Sequence, residues 1–166
     1  MSYELHPETP PAGILFEKLY RGRDLSGFRE RLRRRGAEFG LVFAERPLLS
    51  NSKMALEASE FARDTGRFES VHEALFHAYF TEGLDIGEPG VIAGIAKKCA
   101  LDPAELKTAL ETGRYRPRLE AAREEGNHIG LTGVPTFLIN SRYQIVGAQD
   151  PDVFRDLFRK LAADRV

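Results

Sequence analysis

Residues 131–151 read Leu-Thr-Gly-Val-Pro-Thr-Phe-Leu-Ile-Asn-Ser-Arg-Tyr-Gln-Ile-Val-Gly-Ala-Gln-Asp-Pro. Pro135 is followed at once by an apolar run, Thr136 to Asn140. Ser141-Arg142 then supplies a polar turn, and Tyr143 to Val146 resumes the apolar pattern. Two such runs around a short polar turn predict a β-hairpin. A proline directly ahead of it is compatible, because the first strand position needs no backbone donor. Asp150-Pro151 then predicts a helix start, an acceptor side chain followed by a residue suited to the first helical position. Val153, Phe154, Leu157, Phe158 and Leu161 recur at helical spacing after it and face a core.

Upstream of Gly126 the period is helical. Arg116 to Gly126 predicts one helix. Asp102-Pro103-Ala104-Glu105 predicts the start of another, with Asp102 as cap, Pro103 in the first turn and Glu105 closing a capping box. Val91, Ile92, Ile95, Ala96 and Cys99 mark a third. Phe68, Val71, Leu75, Phe76, Tyr79 and Phe80 mark a strongly apolar helix ending at Gly83. Met54, Ala55, Ala58, Phe61 and Ala62 form a face that starts near Ser50 to Ser52 and breaks at Gly66. Nearer the beginning, Leu25, Phe28 and Leu32 predict a helix rich in arginine, closed by Gly36 or Gly40. Residues 2–6 read as a short strand ended by Pro7. Leu41-Val42-Phe43 is too brief to assign.

Composition bounds the function. A chain of 166 residues with 42% hydrophobic residues suits one domain, or a small domain with an insertion. It carries 24 basic and 25 acidic residues, so no bulk field favours nucleic acid or an acidic membrane. One cysteine excludes a disulfide framework within the chain. No apolar run has the length of a membrane span. The opening residues MSYELHPETPPAG lack the basic and apolar regions of a signal peptide, so a cytoplasmic location is expected.

The isolated reactive residues have plain readings. Cys99 lies on the apolar face with Val91, Ile92 and Ile95, where a lone cysteine reads as a small buried hydrophobe. His72 and His77 are five residues apart, which turns one imidazole about 140° from the other on a helix, unlike the i, i+4 spacing of a zinc-protease motif. His6 and His128 read as surface or capping residues. Arg33-Arg34-Arg35 reads as a solvated helix face, since flanking acids cancel its charge. The glycines between Gly126 and Gly133 lack a phosphate-loop lysine and a preceding strand, so they read as a tight loop.

Several separated motifs resemble the DsbA-like thioredoxin superfamily, most closely its FrnE-like branch. They are Tyr3-Glu4-Leu5-His6-Pro7-Glu8, Ala74 through Ile86, Gly130-Leu131-Thr132-Gly133-Val134-Pro135-Thr136-Phe137, and Val146-Gly147-Ala148-Gln149. The resemblance implies an α/β fold: a thioredoxin-like core, residues 1–49 and 127–166, with an all-helical insertion over residues 50–126. It implies a cis bond between Val134 and Pro135. It also implies a substrate-binding site made of Gly133, Val134, Pro135 and Thr136, with Ala148 and Gln149 in the turn before the last helix. An extended peptide or a protein thiol substrate is the implied partner.

Members of the superfamily carry a strand, a Cys-x-x-Cys motif and a helix ahead of the position of Tyr3. Against that pattern the first β-α unit is absent from this sequence. The implied activity is thiol-disulfide exchange, yet the chain as written lacks the cysteine pair, so it is expected to be redox-inactive and no catalytic residue is assigned. The alternative is a non-redox binding or assembly module using the cis-proline loop. A third reading is a glutathione-dependent transferase or isomerase, like relatives that replace the cysteines with serine. In those relatives a Gly-Ser-Asp or Gly-Asn-Asp turn holds the γ-glutamyl end. Here Ala148 has lost the polar group and Gln149 the charge, which disfavours glutathione. No metal, cofactor, membrane or nucleic acid is expected. Sheet edges left open by the absent unit lead to an expected homodimer.

Overall fold

The computed structural model describes residues 2–21 and 23–163. The chain is mixed α/β, dominated by helices, with small antiparallel sheets and a helical block, matching a thioredoxin-like core with a helical insertion. Its contacts divide it into two units, residues 1–123 and 124–166.

The first unit begins with β1 (Ile14–Leu15), α1 (Phe16–Leu19), α2 (Ser26–Ala37) and β2 (Leu48–Leu49). β1 pairs antiparallel with β2, Ile14 opposite Leu49. Residues 2–6 form no strand, contrary to the sequence reading. Among the described residues no strand pairs with them; Ser2 instead donates from Oγ to Glu60 of the helix over residues 53–64. The backbone there only turns, with the Thr9 N–H donating to the His6 carbonyl at 3.1 Å. An extended run of residues becomes a strand only with a hydrogen-bonding neighbour.

α2 runs past Gly36 to Ala37, and Gly40, at φ +71°, lies in the turn beyond it. Gly36 serves packing instead of termination. A Cβ there would lie 2.4 Å from Cε2 of Phe43, so only glycine admits that ring against the helix.

The helical block comprises α3 (Lys53–Asp64), α4 (Phe68–Phe76), α5 (Pro89–Lys98), α6 (Pro103–Glu111) and α7 (Arg116–His128). α7 starts in the first unit and ends in the second. On α3, Ala55, Ala58 and Ala62 are buried beside Phe61, which is 1% exposed. These small residues let neighbouring helices approach the Phe61 ring. Val71 and Leu75 of α4, Ile92, Ile95 and Ala96 of α5, and Leu106 and Ala109 of α6 join the cluster, with Ala78, Leu101 and Tyr115. Burying a side chain such as Val71 stabilises by about 1.5–3 kcal/mol relative to exposure.

The single long helix read through Phe80 is instead α4 followed by a π-helical turn, His77–Thr81. There the Glu82 N–H donates to the His77 carbonyl at 3.0 Å, and the Phe80 carbonyl accepts from Ala44 N–H at 2.8 Å. Gly83 follows at φ +71° and closes the segment as read. Asp102 caps α6 as its sequence predicts, Oδ1 accepting from the N–H groups of Ala104 at 2.8 Å and Glu105 at 3.0 Å. The Glu105 carboxylate does not close the box; it accepts from Arg114 Nη1 at 3.3 Å.

The second unit contains β3 (Thr136–Ile139), β4 (Tyr143–Val146) and α8 (Pro151–Ala163). β3 and β4 pair antiparallel, Thr136 opposite Val146 and Ile139 opposite Tyr143. The turn sits one residue earlier than read. Asn140 and Ser141 take φ of 53° and 52°, and Arg142 N–H donates to the Ile139 carbonyl at 3.1 Å. Asparagine tolerates the left-handed region better than most residues, which draws the turn onto position 140. α8 meets the hairpin through Phe154, whose ring stands edge-on to Phe137 with centroids 5.0 Å apart.

Candidate functional site

The hairpin brings together the residues singled out from the sequence. Gly133, Val134, Pro135 and Thr136 lead into β3, while Ala148 and Gln149 follow β4. Because Thr136 faces Val146 in register, the two segments lie side by side. The Val134–Pro135 peptide bond is cis. Thr136 Oγ1 donates to the Gly133 carbonyl at 2.6 Å, and the Gly147 N–H donates to the Pro135 carbonyl at 2.7 Å. Gly147 reaches that position at φ +84°, a conformation glycine adopts without a Cβ penalty. The two bonds fasten the loop on both sides of Val134.

Val134 itself is left open. It is 53% exposed, and among the described residues neither its N–H nor its carbonyl takes part in a hydrogen bond. The outer edge of β3 has no strand neighbour among the described residues. Phe137 and Leu138 beside it are 41% and 48% exposed. Ala148 is exposed and offers no polar side chain. Gln149 Nε2 is engaged with the Val146 carbonyl at 2.9 Å. The six residues contain no thiol, imidazole or carboxylate. The arrangement suits recognition of an extended backbone and supplies no proton-transfer group of its own.

Sequence reading missed Gly147 as the donor that ties the turn to Pro135. Its only signal is a glycine directly after a strand.

The remaining reactive groups lie in the first unit. Cys99 caps the end of α5, half-buried, with Sγ 3.4 Å from the Ser70 carbonyl. His72 stacks on Phe68, centroids 5.1 Å apart, and meets Phe76 at a 47° tilt, centroids 4.6 Å apart. His77 Nδ1 lies 3.4 Å from a Glu82 carboxylate oxygen, so the two imidazoles have separate surroundings. Asp64 accepts from Arg118 Nη1 at 2.7 Å, Arg118 Nη2 at 3.0 Å and Tyr115 Oη at 3.1 Å. The Arg118 fork, more than the tyrosine, holds the Asp64 carboxyl below the usual carboxylate range. Burial pushes the Glu57 carboxyl the other way, only partly offset by Arg116 at 3.6 Å. Among the described residues no three His, Cys, Asp or Glu side chains gather as metal ligands, and no helix is long and apolar enough to cross a membrane.

A cis-proline loop entering a hairpin, together with a helical block, is the arrangement of a thioredoxin-class fold. A probable DsbA oxidoreductase from Streptomyces coelicolor superposes with a TM-score of 0.82 over 98% of this chain and 74% of its own, at 21% identity. Residues 8–159 match the DSBA-like thioredoxin domain, and the chain belongs to that family. It is also 35% identical over 105 residues to the uncharacterized protein YwbO of Bacillus subtilis (strain 168). That alignment takes in 61% of this chain and 50% of YwbO, so it spans about half the length of that relative.

Proposed function

We propose that this chain is a DsbA-family binding module of the FrnE-like branch that takes up an extended segment of a client protein at the cis-proline loop. Gly133, Val134, Pro135 and Thr136 form the docking edge in this reading, with Ala148 and Gln149 at its margin. The observation that carries it is Val134, exposed between two fastened neighbours with its N–H and carbonyl unbonded. A peptide laid beside it would gain both bonds, as in strand addition. Disulfide exchange by the family's route needs a second thiol to resolve the mixed disulfide. The 166 residues hold one, Cys99. The engagement of Gln149 with Val146 argues against a γ-glutamyl site.

The test is binding of a fluorescent, unfolded, carboxymethylated client peptide, followed by anisotropy. Val134→Pro removes the N–H donor and should weaken binding about tenfold, the upper range for one hydrogen bond. Cys99→Ser should leave it unchanged. Equal binding by the Val134 variant, or Cys99-dependent turnover in an insulin-reduction assay, defeats the proposal.

The reading includes a cytoplasmic setting and a homodimer. The exposed apolar residues Leu138, Val153 and Phe158 of the second unit support self-association. A monomer by light scattering at micromolar concentration would remove the dimer from it.

A further inference from the structure

Arg46, just before β2, sits in a cage of rings. Its guanidinium carbon is 3.5 Å from the centroid of Tyr79, 4.9 Å from Phe80 and 5.4 Å from Phe16. Among the described residues no carboxylate pairs with it, and its Nη1 is enclosed without an acceptor. Aromatic faces attract a cation, but they do not replace an oxygen in the plane of the fork.

Beside this cage opens a cleft of about 340 Å³, within the range of small-molecule sites. Leu25, Phe28, Leu32 and Phe43 make its walls apolar. Phe28 is 58% exposed and Leu32 38%, so part of that wall faces water. The charged lining is Arg29, Arg33, Arg46 and Glu45. Glu45 is engaged by Arg33 Nη2 at 2.6 Å. Arg29 feels Asp24 and Glu45 through charge attraction, while Arg46 has no carboxylate partner among the described residues.

We propose that this cleft binds a small monocarboxylate carrying an apolar body. The carboxylate would lie at the Arg46 fork, with the exposed Arg29 beside it. The apolar body would cover the Phe28 and Leu32 wall. The chemistry follows from the lining. An uncharged hydrophobe leaves the Arg46 cation uncompensated, while a small inorganic anion leaves the apolar wall in water. Arg46 is positioned before any ligand arrives, because the Ala44 N–H bond to Phe80 anchors the irregular segment that carries it to the π turn.

Isothermal titration of the full chain with octanoate, octanamide and acetate tests this. Octanoate is expected to bind at one site, about tenfold or more tighter than octanamide, a difference of one ionic hydrogen-bonded contact. Acetate is expected to give no saturable heat. Arg46→Met keeps the stem in the cage but removes the charge; it should weaken octanoate about tenfold and leave octanamide unchanged. Arg29→Gln, at an exposed position, should weaken octanoate severalfold with an unaltered melt, which keeps the test valid if Arg46→Met fails to fold. Phe28→Ala should weaken octanoate and octanamide alike. No saturable octanoate binding at millimolar concentration overturns the proposal. So does equal affinity for octanoate and octanamide. A Phe28→Ala variant that turns a dimer into a monomer, with no octanoate binding by the wild type, would assign the cleft to a second copy and overturn it as well.

Discussion

Phe61→Ala is the most informative single test of how the helical block is held. The Phe61 side chain is 1% exposed and meets Tyr115 edge-on, centroids 6.2 Å apart and planes at 86°. Its immediate neighbours on α3 are the alanines Ala58 and Ala62, which cannot extend to refill the space. The truncation should therefore leave most of the ring's volume empty. Phe→Ala changes of this kind cost about 3–5 kcal/mol. An edge-to-face ring pair contributes about 0.5–1.5 kcal/mol beyond its burial, which places the expected loss toward the upper end of that range. With a urea dependence of about 2 kcal/mol per molar, a loss of about 4 kcal/mol moves the midpoint down by about 2 M. Urea unfolding followed by far-ultraviolet circular dichroism reads this directly. Phe39→Ala is the control: that ring is 74% exposed, so the loss of stability should be less than about 0.5 kcal/mol. Equal shifts for the two variants would refute the assignment of Phe61 as the ring around which the block is packed.

Three further outcomes follow from the geometry. Gly36→Ala should destabilise by about 1–3 kcal/mol in thermal melts, because the new Cβ overlaps Phe43; Gly36→Ala combined with Phe43→Leu should recover part of the loss. Asp102→Ala should cost about 1 kcal/mol, and Asp102→Asn much less, because the cap accepts two backbone N–H groups. The two perturbed carboxyls should give pH profiles of opposite sign. Between the ordinary glutamate value and its raised folded value, Glu57 keeps a proton in the folded chain that the unfolded chain has released. Its effect on stability therefore worsens as pH rises, and Glu57→Gln should gain on the wild type from pH 4 to pH 7. Asp64 has the depressed value, so its contribution is present above the ordinary aspartate range and is lost as pH falls toward the folded value. Asp64→Asn should be more damaging at pH 7 than at pH 3. Parallel profiles for the two variants would show that burial of Glu57 and the Arg118 fork on Asp64 do not set their protonation.

Local chemistry made much of the fold readable. The Asp102-Pro103 start, the glycine stops at positions 66 and 83 and the change to a two-residue period after Pro135 are each decided within a few residues. The hairpin was legible for the same reason, whereas the candidate loop ahead of it was singled out by its resemblance to the family's cis-proline loop. Other features depend on partners far away in sequence. The β1–β2 ladder joins two residues to two others across the whole of α1 and α2, so neither half carries a pattern. Residues 2–6 show the converse, with strand-like composition and no strand partner among the described residues. Gly36 looked like a helix stop because nothing in its surroundings announces the Phe43 ring. Arg46 was silent as well, since its cage is assembled from rings at positions 16, 79 and 80.

The π turn at His77–Thr81 has a consequence for changes of length. It acts as a phase slip, setting the direction of everything beyond it independently of the phase of α4. Val71 and Leu75 are placed by the helix before the slip. Phe80, with its ring by Arg46 and its carbonyl on Ala44, is placed within it. A substitution on the turn is a local event. Deleting one residue from it would restore α phase and swing the following side chains by about 100°. The core contacts of α4 would survive that change, while the irregular segment carrying Arg46 would lose its anchor. The two ends of this helix thus respond to insertion and deletion as separate parts, although the chain runs through them without a break.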